Sequence, residues 1–252
     1  MSGYGILFDG GIQKIDSGIN MDLIPYFLEV EEFNKFERRP GATAAVYTCD
    51  VLTCIATLKC GSSFLTSTFN QNCRWRKIPF SEINWDKSHV FSLMLEPLTR
   101  RYKAIVEWLY QKSLIDEFYK NVELQNFVLS TPMLDIHSYG YVYNYYENFC
   151  DQIDWIPMES VKDHNGVKQV ISKMLEKHKI YLPGNYWASE YESNISSIRK
   201  KQLEAVVKEK FNSSPNGKIM EYLLPDISLY NKVVQKFNPS GDVWDNISWL
   251  RK

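Results

Sequence analysis

Residues 51–69 read VLTCIATLKCGSSFLTSTF. The segment 51–58 is apolar and rich in β-branched side chains, which is typical of a strand buried on both faces. The residues that follow, KCGSS at 59–63, are small or polar and favour a tight turn. Because residues 64–69 can continue as a helix, the whole stretch predicts a strand, a turn and a helix in direct succession.

The same order recurs further along the chain. Residues 90–95, VFSLML, predict a second strand, and Pro97 follows where proline suits the first turn of a helix. Apolar side chains then recur at helical spacing over residues 102–109. Two more strands and two more helices are predicted, in that order, at residues 127–136, 153–158, 167–175 and 223–237.

Alternating strands and helices predict an α/β fold in which helices cover a largely parallel sheet. Ligands of such folds bind at the carboxyl ends of the strands. No linker, charge block or repeat divides the 252 residues, so we expect a single domain over residues 1–252. Residues 1–45 are punctuated by glycines and are expected to form an irregular segment, with one short helix, packed on that domain.

Composition narrows the classes of protein. Lys plus Arg number 29 and Asp plus Glu 30, a net charge of -1, which excludes a basic field for non-specific binding of nucleic acid. No run approaches the roughly 20 apolar residues that a membrane helix needs. The five cysteines include no C-x-x-C pair, which fits neither a zinc site nor a disulfide framework. We therefore expect a soluble cytoplasmic protein with no membrane span, no metal and no nucleic-acid partner; the oligomeric state stays open.

The turn at residues 59–63 carries the strongest sign of chemistry. A Gly-Ser-Ser turn that opens a helix leaves backbone N–H groups pointing at an anion, and the helix dipole and serine hydroxyls add to the attraction. Lys59 adds a positive charge at the mouth. The stretch is a poor match to the nucleotide loop G-x-x-x-x-G-K-[ST], because its lysine precedes its only glycine. The alternative is a plain connection whose small residues serve the turn alone.

Residues 59–65, KCGSSFL, resemble the 5′-phosphosulfate loop of sulfotransferases, P-K-x-G-[ST]-[ST]-x-[LF]. Leu58 stands where the family has proline. In that family the loop holds the sulfate donor 3′-phosphoadenosine-5′-phosphosulfate (PAPS). The resemblance therefore implies that this turn binds the phosphosulfate group.

A second family element, R-D-P-x-x-R-x-x-S, resembles residues 95–103, LEPLTRRYK. Pro97 and Arg100 match the pattern, whereas its first arginine and its serine are replaced. The family uses those two residues on the 3′-phosphate of the donor. We expect Arg100, Arg101 and Lys103 to supply replacement charge, since side chains three apart share a helix face; the alternative is a solvated basic patch.

Three further stretches resemble carbohydrate-type sulfotransferases. They are the D-x-H at residues 135–137, the strand-to-glutamate region at 153–159 and the closing helix at 222–230. Together the resemblance spans about residues 50–237, in the family's order. It implies a P-loop-like three-layer α/β fold with a central, mostly parallel sheet flanked by helices. It also implies transfer of a sulfuryl group from PAPS to a hydroxyl acceptor, a carbohydrate or small molecule, without a metal.

The resemblance assigns a role to each position of the donor site. Lys59 is expected to contact the bridging or leaving oxygen, while the turn cradles the phosphosulfate through backbone and hydroxyl donors. The residues expected to bind the donor are Lys59, Cys60, Gly61, Ser62, Ser63, Phe64, Arg100, Arg101 and Lys103.

The catalytic base is sought among the histidines. His137 ranks first because it matches D-x-H and lies beside Asp135, which is suited to orient an imidazole. His89, between the two donor motifs, is the alternative base, and Glu82 and Asp86 lie in the same interval. His137 packed in a loop is the structural alternative.

Other side chains remain to be assigned. His164 is expected in a solvated turn and His178 at a helix end. Tyrosines crowd residues 139–146 and either line a cleft for the acceptor or belong to the core.

Two other functions stay open at this point. An atypical nucleotide kinase also uses a strand, an anion-binding loop and a helix, but requires a carboxylate that binds magnesium. A non-catalytic nucleotide-binding relative keeps the fold without the chemistry, which the two replaced donor residues allow.

Overall fold

The computed structural model describes most of the chain. The described residues are 5–8, 11–14, 21–35, 41, 44–49, 51–72, 74–145, 147–161, 164–180, 195–213 and 217–236. The strands are β1 (Gly5–Phe8), β2 (Gly11–Lys14), β3 (Ala44–Cys49), β4 (Leu52–Thr57), β5 (Arg76–Ile78), β6 (His89–Met94) and β7 (Asp154–Pro157). The helices are α1 (Ile24–Lys35), α2 (Ser62–Asn70), α3 (Pro97–Gln111), α4 (Ile115–Lys120), α5 (Val122–Ser130), α6 (Tyr141–Tyr145), α7 (Glu147–Cys150), α8 (Met158–Val161), α9 (His164–Lys177), α10 (Ile195–Ser213) and α11 (Gly217–Gln235). Short 3-10 turns span Met21–Leu23, Phe80–Glu82 and Ile136–Ser138.

The main sheet has five strands in the order β5-β3-β4-β6-β7. Strands β4, β6 and β7 are parallel, whereas β3 runs antiparallel to both β4 and β5. All six residues of β4 are buried, as its continuous apolar sequence predicts. The α/β class is therefore confirmed, and the sheet is mixed, with its parallel strands grouped together. Strands β1 and β2 form a separate antiparallel hairpin.

The strands and helices predicted around the turn are confirmed. Strands β4, β6 and β7 lie where the apolar runs place them, and α2 and α3 follow β4 and β6 directly. Pro97 is the first residue of α3, as its position predicts. The predicted helices at 167–175 and 223–237 correspond to α9 and α11.

The strand predicted at residues 127–136 is wrong. Its first part belongs to α5, which begins because the side chain of Asn121 accepts a hydrogen bond from the N–H of Leu124. Leu124, Phe127 and Val128 are all buried on this helix, so one helical face is covered. In the segment 1–45, the structure shows the expected helix as α1 and, in addition, the β1–β2 hairpin and the first two residues of β3.

Buried side chains form two clusters. One surrounds the main sheet, and the other lies among the helices α1, α3, α4, α5 and α10. Helix α11 joins the clusters: Ile219 and Leu223 belong to the helical cluster, and Leu229 and Val233 to the sheet cluster. Within the described ranges, no helix has the length and apolarity to cross a membrane.

Candidate functional site

The carboxyl ends of the three parallel strands meet at one edge of the sheet. Beyond β6, the N–H of Glu96 donates to Oε1 of Glu159, which follows β7, at 2.9 Å. Beyond β4, a Cβ atom added to Gly61 would lie 3.9 Å from the terminal methyl of Met158, the first residue after β7. The turn after β4, which the structure places at residues 58–61, therefore lies beside the ends of the other two strands, where parallel α/β folds bind ligands.

The turn after β4 is held in a specific backbone shape. It is closed by a hydrogen bond from the N–H of Cys60 to the carbonyl oxygen of Thr57 (3.1 Å). Lys59 (φ 64°) and Gly61 (φ 71°) both lie in the left-handed region. Glycine adopts this conformation freely, whereas lysine does so at a steric cost.

Helix α2 begins without a capping side chain. Its N-cap residue is Gly61, which has no side chain to accept a hydrogen bond from the first turn. Ser62, half-buried, and Ser63, exposed, lie in that turn, whose N–H groups have no acceptor within the helix. Helix α3 differs, because the carboxylate of Glu96 accepts from the N–H groups of Leu98 and Thr99. The first turn of α3 thus holds the carboxylate of its own N-cap residue, whereas the N-cap residue of α2 offers none.

Lys59 is held by a carboxylate. Its Nζ lies 2.8 Å from Oε2 of Glu107 on α3, and Nζ of Lys200 on α10 lies 3.0 Å from the same oxygen. Burial lowers the pKa of Lys59, and Glu107 offsets this only in part. Burial alone would raise the pKa of Glu107, but hydrogen bonds from both lysines lower it to about 2. The shifts differ because one carboxylate faces two ammonium groups.

The remaining loop residues pack inward. Cys60 is fully buried and its Sγ lies 3.0 Å from the hydroxyl of Tyr141. The Tyr141 hydroxyl donates to the carbonyl oxygen of Leu95 (2.8 Å), so this contact ties the turn to the end of β6. Phe64 is buried as well, with Nζ of Lys168 5.8 Å from the centre of its ring.

Arg100 lies directly beneath the turn. It is buried, its Nε donates to the carbonyl oxygen of Leu58 (3.2 Å), and its Nη1 donates to that of Tyr139. The guanidinium group stacks 4.8 Å from the centre of the Tyr141 ring. Its Nη2 is buried and makes no hydrogen bond to any residue in the described part of the chain. A buried positive charge therefore supports the turn from below.

The other two cations expected at the 3′-phosphate lie elsewhere. Arg101 is buried and donates to carbonyl oxygens at the end of α5, those of Val128 (3.0 Å), Thr131 and Pro132 (2.8 Å). Burial lowers the pKa of Arg101 to about 10. Lys103 pairs with Glu204 of α10 at 3.4 Å. Arg100, Arg101 and Lys103 thus point to three different partners and form neither a phosphate cluster nor a solvated patch.

Asp135 orients His137, as the sequence predicts. Nδ1 of the imidazole lies 2.8 Å from Oδ2 of Asp135, whose Oδ1 accepts from the N–H of His137 at 2.9 Å. The His137 side chain is 17% exposed, so the ring is largely buried but reachable. Arg100 links this segment to the turn, because its guanidinium group donates to the carbonyl oxygens of both Leu58 and Tyr139.

His89 lies at the opposite edge of the sheet. It pairs in register with Leu52, the first residue of β4, so His89 and Lys59 are on the order of 20 Å apart at 3.3 Å per residue. Its Nε2 lies 2.6 Å from Asp154 Oδ2, and its ring lies 5.7 Å from that of His178. Residues at this distance do not share one reacting group with Lys59. The side chain of His164 lies outside the described part.

The tyrosine-rich stretch contributes mainly to the core. Tyr141 and Tyr145 are fully buried, and Tyr145 bonds the hydroxyl of Thr57 at 2.8 Å. Tyr143 packs against Tyr139, with ring centres 5.0 Å apart. The structure therefore favours the packing alternative for Tyr141 and Tyr145.

Sequence reasoning missed two charged groups of this site. Glu107 lies one helical turn beyond Lys103 on α3, and Lys200 lies on a helix that was not predicted. A signal for α10 was present, since Leu203, Val207 and Phe211 recur every four residues and are buried. No local motif marks either group as a partner of Lys59, because the contact is formed by tertiary packing.

Comparisons with known proteins identify no relative of this chain. Across the described residues, no three His, Cys, Asp or Glu side chains converge in a way that could hold a metal ion. No family model, no curated protein and no solved structure matches this chain.

Proposed function

We propose that this chain is a sulfotransferase that moves a sulfuryl group from PAPS to a hydroxyl acceptor, a carbohydrate or small molecule. One observation carries the proposal: the first turn of α2, whose N-cap residue Gly61 supplies no capping side chain, entered through Lys59 and with the buried Arg100 beneath it. Such a terminus attracts a phosphosulfate group through its N–H donors and its dipole. The P-loop-like character of the fold is part of this proposal.

Each group has a role in the transfer. The N–H groups of α2 and the hydroxyls of Ser62 and Ser63 hold the phosphosulfate, and Lys59 neutralises charge on the leaving phosphate. The acceptor oxygen forms a bond to sulfur while the bond from sulfur to the bridging oxygen breaks, which releases adenosine 3′,5′-bisphosphate. The proton of the acceptor hydroxyl passes to His137.

The pairing of His137 with Asp135 suits this proton transfer. When Nδ1–H donates to Asp135, Nε2 is the nitrogen that accepts the proton. The carboxylate then stabilises the imidazolium that forms. The predicted cytoplasmic location also belongs to the proposal. Within the described ranges, the buried cysteines Cys49, Cys54, Cys60 and Cys150 form no disulfide, which agrees with a reducing compartment.

A non-catalytic nucleotide-binding protein is the second candidate. It is favoured by the placement of Arg101 and Lys103, which bond other parts of the chain and leave the 3′-phosphate without the expected partners. Such a protein binds the donor or its product without transfer.

A ligand comparison separates these functions. Thermal unfolding is measured with adenosine 3′,5′-bisphosphate and, separately, with ATP plus magnesium; a ligand at one hundred times its Kd stabilises by about 2.7 kcal/mol. Stabilisation by the bisphosphate, together with transfer of labelled sulfate from PAPS to a panel of hydroxyl compounds, supports the sulfotransferase. Stabilisation without transfer to any acceptor supports the second candidate, and stabilisation by ATP alone contradicts both.

A further inference from the structure

Two lysines from distant parts of the chain share one carboxylate oxygen. Nζ of Lys59, in the turn after β4, and Nζ of Lys200, on α10, both contact Oε2 of Glu107. The side chains are partly buried, with 19% of Lys59 and 29% of Lys200 exposed. Oε1 of the same carboxylate accepts from the side chain of Gln111 at 3.2 Å.

An ordinary contact between helices does not account for this arrangement. Helices α3 and α10 are joined by two ion pairs, Lys103 with Glu204 and Glu107 with Lys200. The first is a pair of one cation and one anion. At the second, Lys59 brings an additional ammonium group, so two positive charges share the single negative charge of Glu107. Partial burial keeps the net positive charge of these three groups from being fully screened by salt.

Other candidate ligand-binding groups lie close to Lys59 along the chain. Helix α2 begins at Ser62, three residues beyond Lys59, and Arg100 donates a hydrogen bond to the carbonyl oxygen of Leu58 in the same turn. The ammonium group of Lys200 lies 4.0 Å from the ring centre of Tyr110, a contact that positions it independently of Glu107. Lys59 and Lys200 thus approach the Glu107 carboxylate from two different elements of the fold.

We propose that Lys59 and Lys200 form a two-lysine binding site for a phosphate or sulfate ester, and that the carboxylate of Glu107 fills this site until the ligand displaces it. The inference rests on the proposed function for its location and for the class of ligand. It adds Lys200 as a ligand-binding cation, in a chain that lacks two of the donor-binding residues of the family it resembles. It also makes Glu107 an internal competitor of the ligand.

The chemistry of the exchange is favourable. A phosphate monoester or a phosphosulfate group carries about two negative charges and so matches two ammonium groups better than a single carboxylate does. Glu107 stays ionised throughout the neutral range, since its pKa is held near 2, so it competes at every pH of an ordinary binding assay. Gln111 keeps a hydrogen bond to Oε1 and offers the displaced carboxylate a partner on its own helix.

Removal of the competing charge is the decisive test. Calorimetric titration with inorganic sulfate and with adenosine 3′,5′-bisphosphate is compared for the wild type, Glu107→Gln and Lys200→Met. We expect Glu107→Gln to bind both probes about tenfold more tightly and Lys200→Met about tenfold more weakly. The matched controls are Glu204→Gln, which removes the other carboxylate between α3 and α10, and Arg199→Met, which removes the neighbouring cation paired with Asp116. Neither control is expected to change the affinity.

The sign of the Glu107→Gln effect decides the matter. A carboxylate that only positions Lys59 gives unchanged or weaker binding when it is neutralised, and that result overturns the proposal. Unchanged binding by Lys200→Met overturns it as well, and this variant decides alone if Glu107→Gln does not fold. If sulfate affinity changes as expected but the bisphosphate does not bind, the anion site stands and the sulfotransferase fails. If PAPS supports transfer but neither variant alters affinity, the sulfotransferase stands and the anion site at Lys59 and Lys200 fails.

Discussion

Nε of Arg100 donates a hydrogen bond to the carbonyl oxygen of Leu58, 3.2 Å away. Leu58 is the residue immediately before Lys59. The same guanidinium group donates to the carbonyl oxygen of Tyr139, two residues beyond His137. One buried side chain of α3 thus fixes both the turn after β4 and the segment that carries His137. Arg100, which matches the second arginine of the pattern R-D-P-x-x-R-x-x-S, therefore holds two segments of the chain together in this structure.

Arg100→Lys tests that support. A lysine has one terminal nitrogen and cannot reproduce the planar fork that reaches two carbonyl oxygens. We expect the free energy of unfolding to fall by about 3 kcal/mol, as when a buried charged contact is broken. Urea denaturation measures the loss. Arg199→Lys, the same exchange in an exposed ion pair with Asp116, is expected to change stability by less than about 0.5 kcal/mol; equal losses in the two variants would refute the assignment.

The left-handed backbone of Lys59 gives a second prediction. Lys59→Gly and Lys59→Ala both remove the ammonium group and are expected to abolish sulfuryl transfer. They differ in backbone cost, because φ of 64° is easy for glycine and strained for alanine. We expect Lys59→Gly to be more stable than Lys59→Ala by about 1 kcal/mol. Normal turnover by either variant would contradict the role of Lys59, and equal stabilities would contradict the backbone argument.

His137 is expected to act on the rate and not on donor binding. His137→Ala should lower kcat by roughly a hundredfold or more, the usual contribution of a general base, with an unchanged Kd for adenosine 3′,5′-bisphosphate. Steady-state kinetics and titration calorimetry measure the two quantities. His89→Ala is the informative comparison, since His89 pairs with Asp154 at the far edge of the sheet. Should His89→Ala abolish transfer while His137→Ala retains it, our assignment of the base is reversed.

Gly140 is expected to tolerate no side chain. A Cβ atom at this position would lie 2.7 Å from Oδ2 of Asp226, which is buried and accepts from the N–H groups of Tyr141 and Val142. Gly140→Ala should therefore destabilise the protein by about 1–3 kcal/mol, as overpacking does. Gly217→Ala is the control, because nothing lies within 4 Å of an added Cβ there and α11 begins at this residue. Thermal unfolding should show a loss for the first variant only.

Glu107 gives a pH dependence with a definite sign. Its folded pKa of about 2 lies below its ordinary value of 4.5, so the unfolded chain takes up the proton first as the pH falls. The stabilisation that the ionised carboxylate contributes is complete above 4.5 and is lost as the pH approaches 2. The difference in unfolding free energy between wild type and Glu107→Gln should shrink over that interval. A difference that stays constant with pH would show that the two lysines do not depress this pKa.

Local patterns predicted the elements that carry the turn. The uniform burial of β4 leaves an apolar run without alternation, and Glu96–Pro97 marks the start of α3 in the sequence itself. The segment 127–136 is wrongly predicted as a strand because Phe127 and Val128 favour strands in isolation, whereas packing among other helices selects a helix. Local preference gave way to tertiary contacts there.

The candidate site was predicted in part for a related reason. The pairing of Asp135 with His137 is local in sequence, so spacing alone predicts it. The contact of Lys59 with Glu107 and Lys200 depends on how α3 and α10 pack against the turn, which no short motif encodes. The buried position of Arg101 likewise follows from the place where α5 ends.

The thiol of Cys60 lies sealed beneath the turn against the Tyr141 hydroxyl, and burial raises its pKa. Alkylating reagents attack the thiolate of an accessible cysteine, so Cys60 resists labelling for as long as the turn stays closed. The rate at which a reagent such as iodoacetamide modifies Cys60 therefore reports how often the turn opens. An anion bound to the first turn of α2 should lower this rate, so alkylation of Cys60 measures whether the site is occupied.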